Sequence, residues 1–227
     1  MIINKEIIKI FFLYFFLIMG GLWELLGLFK VFNQTFAGII LILLSLWCFY
    51  EIYNYNLKKE NSKISIIKSI LFFLIVVIVS FIIEIIGVKT GLIFGEYQYS
   101  KVLIPQIFDT PVAIGFAWFS TLISSTAILK KLIDRYYLKL NILFKSLIIG
   151  FLMFVFDYFL EPAAIKLNYW NWQLGIVPFQ NYLTWFVLGS FFAFLGYKLK
   201  YLSLEFPKTI IHFYISQILY FVIICFK

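Results

Sequence analysis

Two carboxylates four residues apart, Asp157 and Glu161, are the side chains of this sequence best suited to do chemistry. They lie near the end of an apolar stretch, and a spacing of four places both on one face of a helix. Two neighbouring carboxylates cannot both ionise cheaply in apolar surroundings, so one should hold a proton near neutral pH or a cation must lie beside them. The alternative is a helix end at a membrane surface, where both acids are hydrated.

Further acids and aromatic residues accompany this pair. Glu84 closes an apolar segment, and Glu96 lies in the following FGEYQY, where an extended chain places polar groups at alternate positions. Glu24 follows two glycines, which predicts burial against a neighbouring helix, and Asp109 before Thr-Pro is typical of a helix N-cap. An interfacial belt is the alternative role for the tryptophans. The candidate substrate-binding residues are Tyr97, Tyr99, Trp118, Trp170, Trp172, Asn181 and Trp185.

The composition is that of an integral membrane protein. Of the 227 residues, 63% are hydrophobic and 13% are charged, whereas a soluble domain is roughly half apolar and about a quarter charged. We predict an all-α integral membrane fold, a single domain over residues 1–227, built as a seven-helix transmembrane bundle. Two long re-entrant or lid-like loops, 88–110 and 161–180, lie on its non-cytoplasmic side. The predicted membrane-spanning segments are 7–29, 36–52, 64–87, 111–129, 142–160, 181–197 and 208–226.

Basic residues are concentrated at one end of this predicted bundle. Fourteen of the 19 basic residues fall at the N-terminus and after segments two, four and six, which places the N-terminus in the cytoplasm and the C-terminus outside. The location expected is the bacterial cytoplasmic membrane, and the first segment is too long for a cleavable signal peptide. The net charge of +8 then indicates contact with anionic lipid, not nucleic acid. The fourteen are Lys5, Lys9, Lys58, Lys59, Lys63, Lys68, Lys130, Lys131, Arg135, Lys139, Lys145, Lys198, Lys200 and Lys208.

Several other kinds of active site have no support in the sequence. Cys48 and Cys225 lie in separate apolar segments and are expected to be small apolar fillers. The single histidine, His212, has no partner motif. The sequence contains no HxxxH-type metal cluster, phosphate-binding loop, nucleotide-binding glycine pattern or Ser/His/Asp set. We therefore predict no metal site, and argue against a metal oxygenase or a nucleotide-driven pump.

Two stretches taken together resemble a known family. Residues 84–111 contain EIIGVKTGLIFGEYQYS and a DTP step, and residues 157–185 contain DYFLEPAAIKLNYWNWQ, VPFQN and TW. They resemble the multi-pass carotenoid biosynthesis proteins that include the bacterioruberin-pathway hydratase and the γ-carotene 1′,2′-hydratase. The resemblance covers about half of the chain.

The resemblance implies cofactor-free hydration of the terminal C=C of a linear carotenoid end group through a tertiary carbocation. The Asp157/Glu161 pair would donate the proton, and Glu84 or Glu96 would orient and deprotonate the attacking water. The partners implied are the carotenoid and membrane lipid, with no nucleic acid; association with other carotenoid-pathway enzymes stays open. The aromatic faces that would stabilise the cation are those of Tyr97, Tyr99, Trp170 and Trp172.

Three other functions fit parts of the sequence. A lycopene-type cyclase would begin with the same protonation, but an internal double bond would capture the cation instead of water. A lipid or small-cation carrier would use the acids as a coupling-ion site; the acids, however, fall toward one end of the predicted bundle and no internal repeat is found. A lipid-phase scaffold without chemistry would leave the acid pair unexplained.

Overall fold

In the computed structural model, residues 5–58 and 65–227 are described, and they are mostly helical. Six of the helices in this part of the chain are long and apolar enough to cross a membrane, so the predicted seven-helix transmembrane bundle is confirmed for six helices. The remaining one, α6, is not among them, although its 20 residues exceed the 18 of the last helix. A 3-10 helix, Tyr201–Ser203, precedes the last α-helix. The seven α-helices are α1 (Lys5–Leu25), α2 (Lys30–Leu57), α3 (Ile66–Thr90), α4 (Val112–Tyr136), α5 (Ile142–Lys166), α6 (Phe179–Lys198) and α7 (Lys208–Cys225).

Side-chain contacts show that the helices run alternately between two ends of the bundle. Lys9 near the start of α1 pairs with Glu51 near the end of α2 at 2.6 Å. Lys227, which follows α7, pairs with Glu24 near the end of α1 at 2.8 Å. Gln180 at the start of α6 donates to the backbone of the segment after α3, so α6 also runs between the two ends. We call the end where α1, α3, α5 and α7 finish the loop end.

Four short strands lie at the loop end, so the predicted all-α fold is incomplete. Strand β1 (Tyr97–Tyr99) pairs antiparallel with β4 (Trp170–Trp172), and β2 (Gln106–Ile107) pairs antiparallel with β3 (Thr110–Pro111). The β1–β4 ladder joins the two segments that were expected to be separate loops. It therefore ties the end of α3 to the end of α5 over the interior of the bundle.

Two glycines set the helix packing beneath this ladder. A Cβ atom added at Gly150 in α5 would meet the backbone carbonyl of Phe186 in α6, and one added at Gly115 in α4 would meet that of Val77 in α3. Small residues at such contacts allow helix backbones to approach closely. The acid-bearing helices α3 and α5 are thereby held against α4 and α6, and α4 is the helix with the largest buried share.

Several sequence predictions about helix ends are wrong. The segment 36–52 belongs to α2, which has 28 residues and is the longest helix described. Helix α5 does not end near Pro162, as the predicted segment 142–160 implies, but continues to Lys166. A proline removes one backbone donor without stopping the helix when the surrounding packing holds it. Glu161 is thus a helical residue and not part of a loop.

Predictions for four charged positions have different outcomes. Asp109 is not the N-cap of α4, because Pro111 occupies that position, and the exposed Asp109 pairs with Lys101 at 3.3 Å. Glu24 is buried against a neighbouring helix, as predicted, and only 3% of its surface is exposed. Lys59 and Lys63, which were predicted to lie on the cytoplasmic side, and the start of the predicted segment 64–87 lie outside the described residues. The membrane orientation stays a prediction.

Candidate active site

Glu161, near the end of α5, lies buried beneath strand β4. Two indoles of this strand donate to its Oε2 atom, Trp170 Nε1 at 2.9 Å and Trp172 Nε1 at 2.8 Å. Side chains alternate across a strand, so two tryptophans two residues apart point to the same face while Asn171 between them faces outward. The WNW sequence therefore supplies two hydrogen-bond donors to a single carboxylate oxygen.

Glu84, near the end of α3, accepts three hydrogen bonds. Its Oε2 atom accepts from Tyr97 Oη at 2.6 Å and from Tyr99 Oη at 3.0 Å, and its Oε1 atom accepts from Trp118 Nε1 of α4 at 3.0 Å. Burial raises the pKa of both tyrosines well above the ordinary value of a phenol, and the negative charge of Glu84 is the next largest cause. Both hydroxyls consequently keep their protons and act as donors at neutral pH.

The β1–β4 ladder brings the donors of these two acids together. Tyr97 lies opposite Trp172 and Tyr99 lies opposite Trp170, so all four rings share the inward face of the ladder. The rings of Tyr97 and Trp172 have centroids 4.9 Å apart. The YQY and WNW motifs thus form one aromatic layer whose polar atoms point at Glu84 and Glu161.

Asp157 lies one helical turn before Glu161, and Asn181 of α6 bridges the two acids. Asn181 Nδ2 donates to Asp157 Oδ2 at 2.6 Å and to Glu161 Oε1 at 3.0 Å. The second oxygen of Asp157, Oδ1, is buried and has no hydrogen-bond partner among the described residues. Asp157, Glu161 and Asn181 are each at most 3% exposed, so bulk water does not solvate this cluster.

One small cavity of about 40 Å³ lies between these groups. Trp185 lines this cavity and stacks on Trp118 behind it, with ring centroids 4.0 Å apart and nearly parallel planes. None of the ion pairs between described residues involves a carboxyl group of the cavity. The cavity is lined by Glu84, Phe94, Tyr97, Tyr99, Ile114, Ala117, Asp157, Leu160, Glu161, Trp170, Trp172, Asn181 and Trp185.

The structure brings together every sequence-selected site residue except one. Glu96, selected as a candidate for handling the attacking water, is exposed and does not line the cavity. Its neighbour Tyr97 points inward, and the alternation of a strand turns Glu96 to the other side. Within the described residues, no three or more His, Cys, Asp and Glu side chains form a metal-binding group.

Four apolar residues of the lining did not stand out in the sequence. Phe94, Ile114, Ala117 and Leu160 complete the cavity wall. Ile114 and Ala117 lie on the face of α4 that also carries Trp118, and Leu160 precedes Glu161. An apolar residue in an apolar helix has no distinguishing signal, because its role depends on which neighbour it faces. Only the helix packing identifies such residues.

Comparison with known proteins agrees with the resemblance drawn from the motifs. A sequence profile described as carotenoid biosynthesis protein matches residues 33–226. The chain belongs to the carotenoid biosynthesis protein family. The matched region contains both acid-bearing helices and both strands of the aromatic ladder, so the entire cavity falls within the family region.

One curated relative of this carotenoid biosynthesis protein has a named activity. Bisanhydrobacterioruberin hydratase from Haloarcula japonica is 26% identical over 115 residues, which are 49% of this chain and 39% of that protein. The match therefore spans well under half of the relative's length. No solved structure matches the chain.

Proposed function

We propose that this protein is a carotenoid hydratase that adds water across the terminal C=C of a linear carotenoid end group. The observation that carries the proposal is the small cavity in which three carboxyl groups face aromatic rings, and no lysine or arginine among the described residues is paired with them. Membership of the carotenoid biosynthesis protein family and the distant hydratase relative support the same reaction.

The first step needs an acid, because an isolated trisubstituted alkene is a weak base. A carboxylic acid kept from water by burial is a suitable donor. The Asp157/Glu161 pair meets this requirement, since two adjacent buried carboxyl groups share a bridging amide, and the described residues supply no cation to offset two charges. A shared proton relieves that repulsion. Transfer of this proton to the terminal C=C leaves a tertiary carbocation.

The cation forms inside an aromatic and anionic shell. The faces of Trp170, Trp172 and Tyr97 attract positive charge, and the ionised carboxylates contribute further stabilisation in an enclosed site. Glu84 is the third carboxyl group of the cavity and takes the role of orienting and deprotonating the water. Glu96 has no part in this proposal, because it lies outside the cavity.

The cavity is too small for a whole carotenoid, and its lining side chains must move apart to admit an end group. Its volume of about 40 Å³ is far below the roughly 300 Å³ at which small-ligand pockets begin. The long polyene must therefore leave between helices. An open apolar groove of about 460 Å³ runs beside α5 past Tyr158 and Pro162 and reaches Tyr182, the neighbour of Asn181. We assign this groove to the polyene next to the reacting end.

Pigment mass tests the proposed reaction directly. The full chain is expressed in a host that makes carotenoids with at least one linear end group, such as lycopene or γ-carotene, and pigments are analysed by chromatography and mass spectrometry. Hydration adds the mass of one water molecule per reacted end. We expect this product in the presence of the chain, and none with an empty vector.

The other outcomes of this experiment decide against hydration. A product with unchanged mass and shifted retention indicates cyclisation, in which an internal double bond captures the cation. Unaltered pigment at normal protein level, with each of these carotenoids supplied in turn, removes the enzymatic proposal and leaves the carrier or scaffold functions.

A further inference from the structure

The three carboxyl groups of the cavity have six oxygen atoms, and five of them accept hydrogen bonds from protein groups. Both oxygens of Glu84 and both of Glu161 accept from tyrosine, tryptophan or asparagine donors. Asp157 Oδ2 accepts from Asn181. The sixth atom, Asp157 Oδ1, is buried and has no partner among the described residues. The acids of the cavity are therefore not equivalent.

We propose that Asp157 Oδ1 carries the proton that is transferred to the substrate alkene, while Glu161 stays a carboxylate. This assignment rests on the proposed hydration reaction and divides its acid pair into a donor and a fixed charge. Within the pair, a proton occupies the oxygen that no N–H group already approaches.

The contacts of Glu161 give the physical reason. The groups that donate to it, Trp170, Trp172 and Asn181, can donate through the nitrogens involved but cannot accept there. A proton on either Glu161 oxygen would weaken hydrogen bonds that an ionised acceptor makes stronger. A proton on Asp157 Oδ1 displaces no donor.

Asn181 acts as the positioning residue of this arrangement. One amide nitrogen contacts Asp157 Oδ2 and Glu161 Oε1, at 2.6 and 3.0 Å. Fixing Oδ2 toward Asn181 leaves Oδ1 as the free end of the Asp157 carboxyl group. Asp157 itself lines the same cavity as the aromatic layer.

The step balances without any further reagent. The alkene π electrons form a C–H bond with the Asp157 proton, which leaves an Asp157 carboxylate and a tertiary carbocation. A water lone pair then forms the C–O bond, and the proton released from that water returns to the carboxyl groups of the cavity. The net change is alkene plus water to alcohol.

Asp157→Asn is a conservative test of the donor. The carbonyl oxygen of the new amide replaces Oδ2 as acceptor for Asn181, and its NH2 group takes the place of the unpartnered Oδ1. The hydrogen bond is kept and only the acidic proton is lost. We expect hydration in the pigment-producing host to fall by about 100- to 10,000-fold, the range for loss of a general acid. Asn171→Ala, on the outward face of β4, is the matched control and should keep wild-type product formation.

Infrared spectroscopy detects the protonated carboxyl group without any need for turnover. A protonated carboxyl group gives a C=O stretching band that shifts in D2O, and carboxylates do not. We expect this band at neutral pH in the purified wild-type protein and in Glu84→Gln, and its loss in Asp157→Asn. Glu84→Gln is expected to fold because its amide oxygen can serve Trp118 while the tyrosine hydroxyls accept from its NH2 group.

Each result bears on the assignment. Hydrated product at close to the wild-type rate from Asp157→Asn overturns it, as does a wild-type protein without a protonated carboxyl band. If Asp157→Asn does not fold, loss of the band in Glu84→Gln overturns the assignment and its retention supports it. Absence of hydrated pigment from the wild type, with the band present, refutes the proposed function and not the location of the proton.

Discussion

Replacing Asn181 by alanine tests whether one amide holds the acid pair together. The side chain is 3% exposed and donates to two carboxyl groups on α5 from its position on α6. Its removal leaves Asp157 Oδ2 and Glu161 Oε1 without that donor and weakens the junction between the two helices. Both stability and hydration should decrease.

The magnitude follows from the two hydrogen bonds lost. A hydrogen bond to a charged group contributes about 1.5–3 kcal/mol net and one to a neutral group about 0.5–1.5 kcal/mol, so loss of the contacts to ionised Glu161 and protonated Asp157 together costs about 3 kcal/mol. For a chain of this length, each kcal/mol lowers Tm by roughly 2–4 °C. We expect Asn181→Ala to unfold about 6–12 °C below the wild type.

The assay is thermal unfolding of the full chain in detergent, combined with pigment analysis. Asn171→Ala is the control, because it removes the same amide from an exposed position whose side-chain contact to Asn168 is long, at 3.4 Å. A positioning role further predicts that Asn181→Ala lowers the maximal hydration rate more than the apparent substrate affinity. If Asn181→Ala unfolds and hydrates like the control, the bridging amide has no such role.

Two other perturbations follow from the same contacts. Glu161→Gln should lower Tm more than Glu84→Gln, with a difference in unfolding free energy of about 2 kcal/mol or more. Either orientation of the new amide at position 161 points its NH2 group at an N–H donor, whereas the tyrosine hydroxyls beside Glu84 can accept from an NH2 group. Equal Tm values would contradict this. Alkaline pH should destabilise the protein, because folding raises the pKa of Tyr97 and Tyr99. Above about pH 10 the two tyrosines lose their protons in the unfolded state but keep them in the folded state, so the unfolded state is favoured. The double variant Tyr97→Phe with Tyr99→Phe should show a shallower fall of Tm between about pH 9 and 11 than the wild type, and an unchanged slope would show that these phenols are not protected.

The acid pair was predictable because its spacing is local. Asp157 and Glu161 share a face of α5 as a direct consequence of helix geometry. The apolar segments were predictable for a similar reason, since hydrophobicity over the length of a bilayer is a property of consecutive residues. Their ends were not, because Pro162 signals a break that packing against neighbouring helices overrides.

The partners of the acids were predictable only in part. The YQY and WNW motifs indicate residues that alternate in an extended chain, but each motif alone is also typical of an interfacial aromatic belt. Their pairing places Tyr97 opposite Trp172, and this depends on α3 and α5 ending side by side. The same pairing turns Glu96 outward, so an acid that looked equivalent to Glu84 in sequence lies outside the cavity.

The sequence by itself determined a membrane-embedded helical protein of the carotenoid biosynthesis family with two acids on one helix face. Hydrophobicity and helical spacing act over a few turns of chain, and both can be read without knowing the neighbours. The tertiary structure decided which donors reach which oxygen, because hydrogen bonds between α3, α5, α6 and the strands require atoms from distant parts of the chain to lie within about 3 Å. It is that arrangement, and not the residue types, that leaves Asp157 Oδ1 unpaired among the described residues.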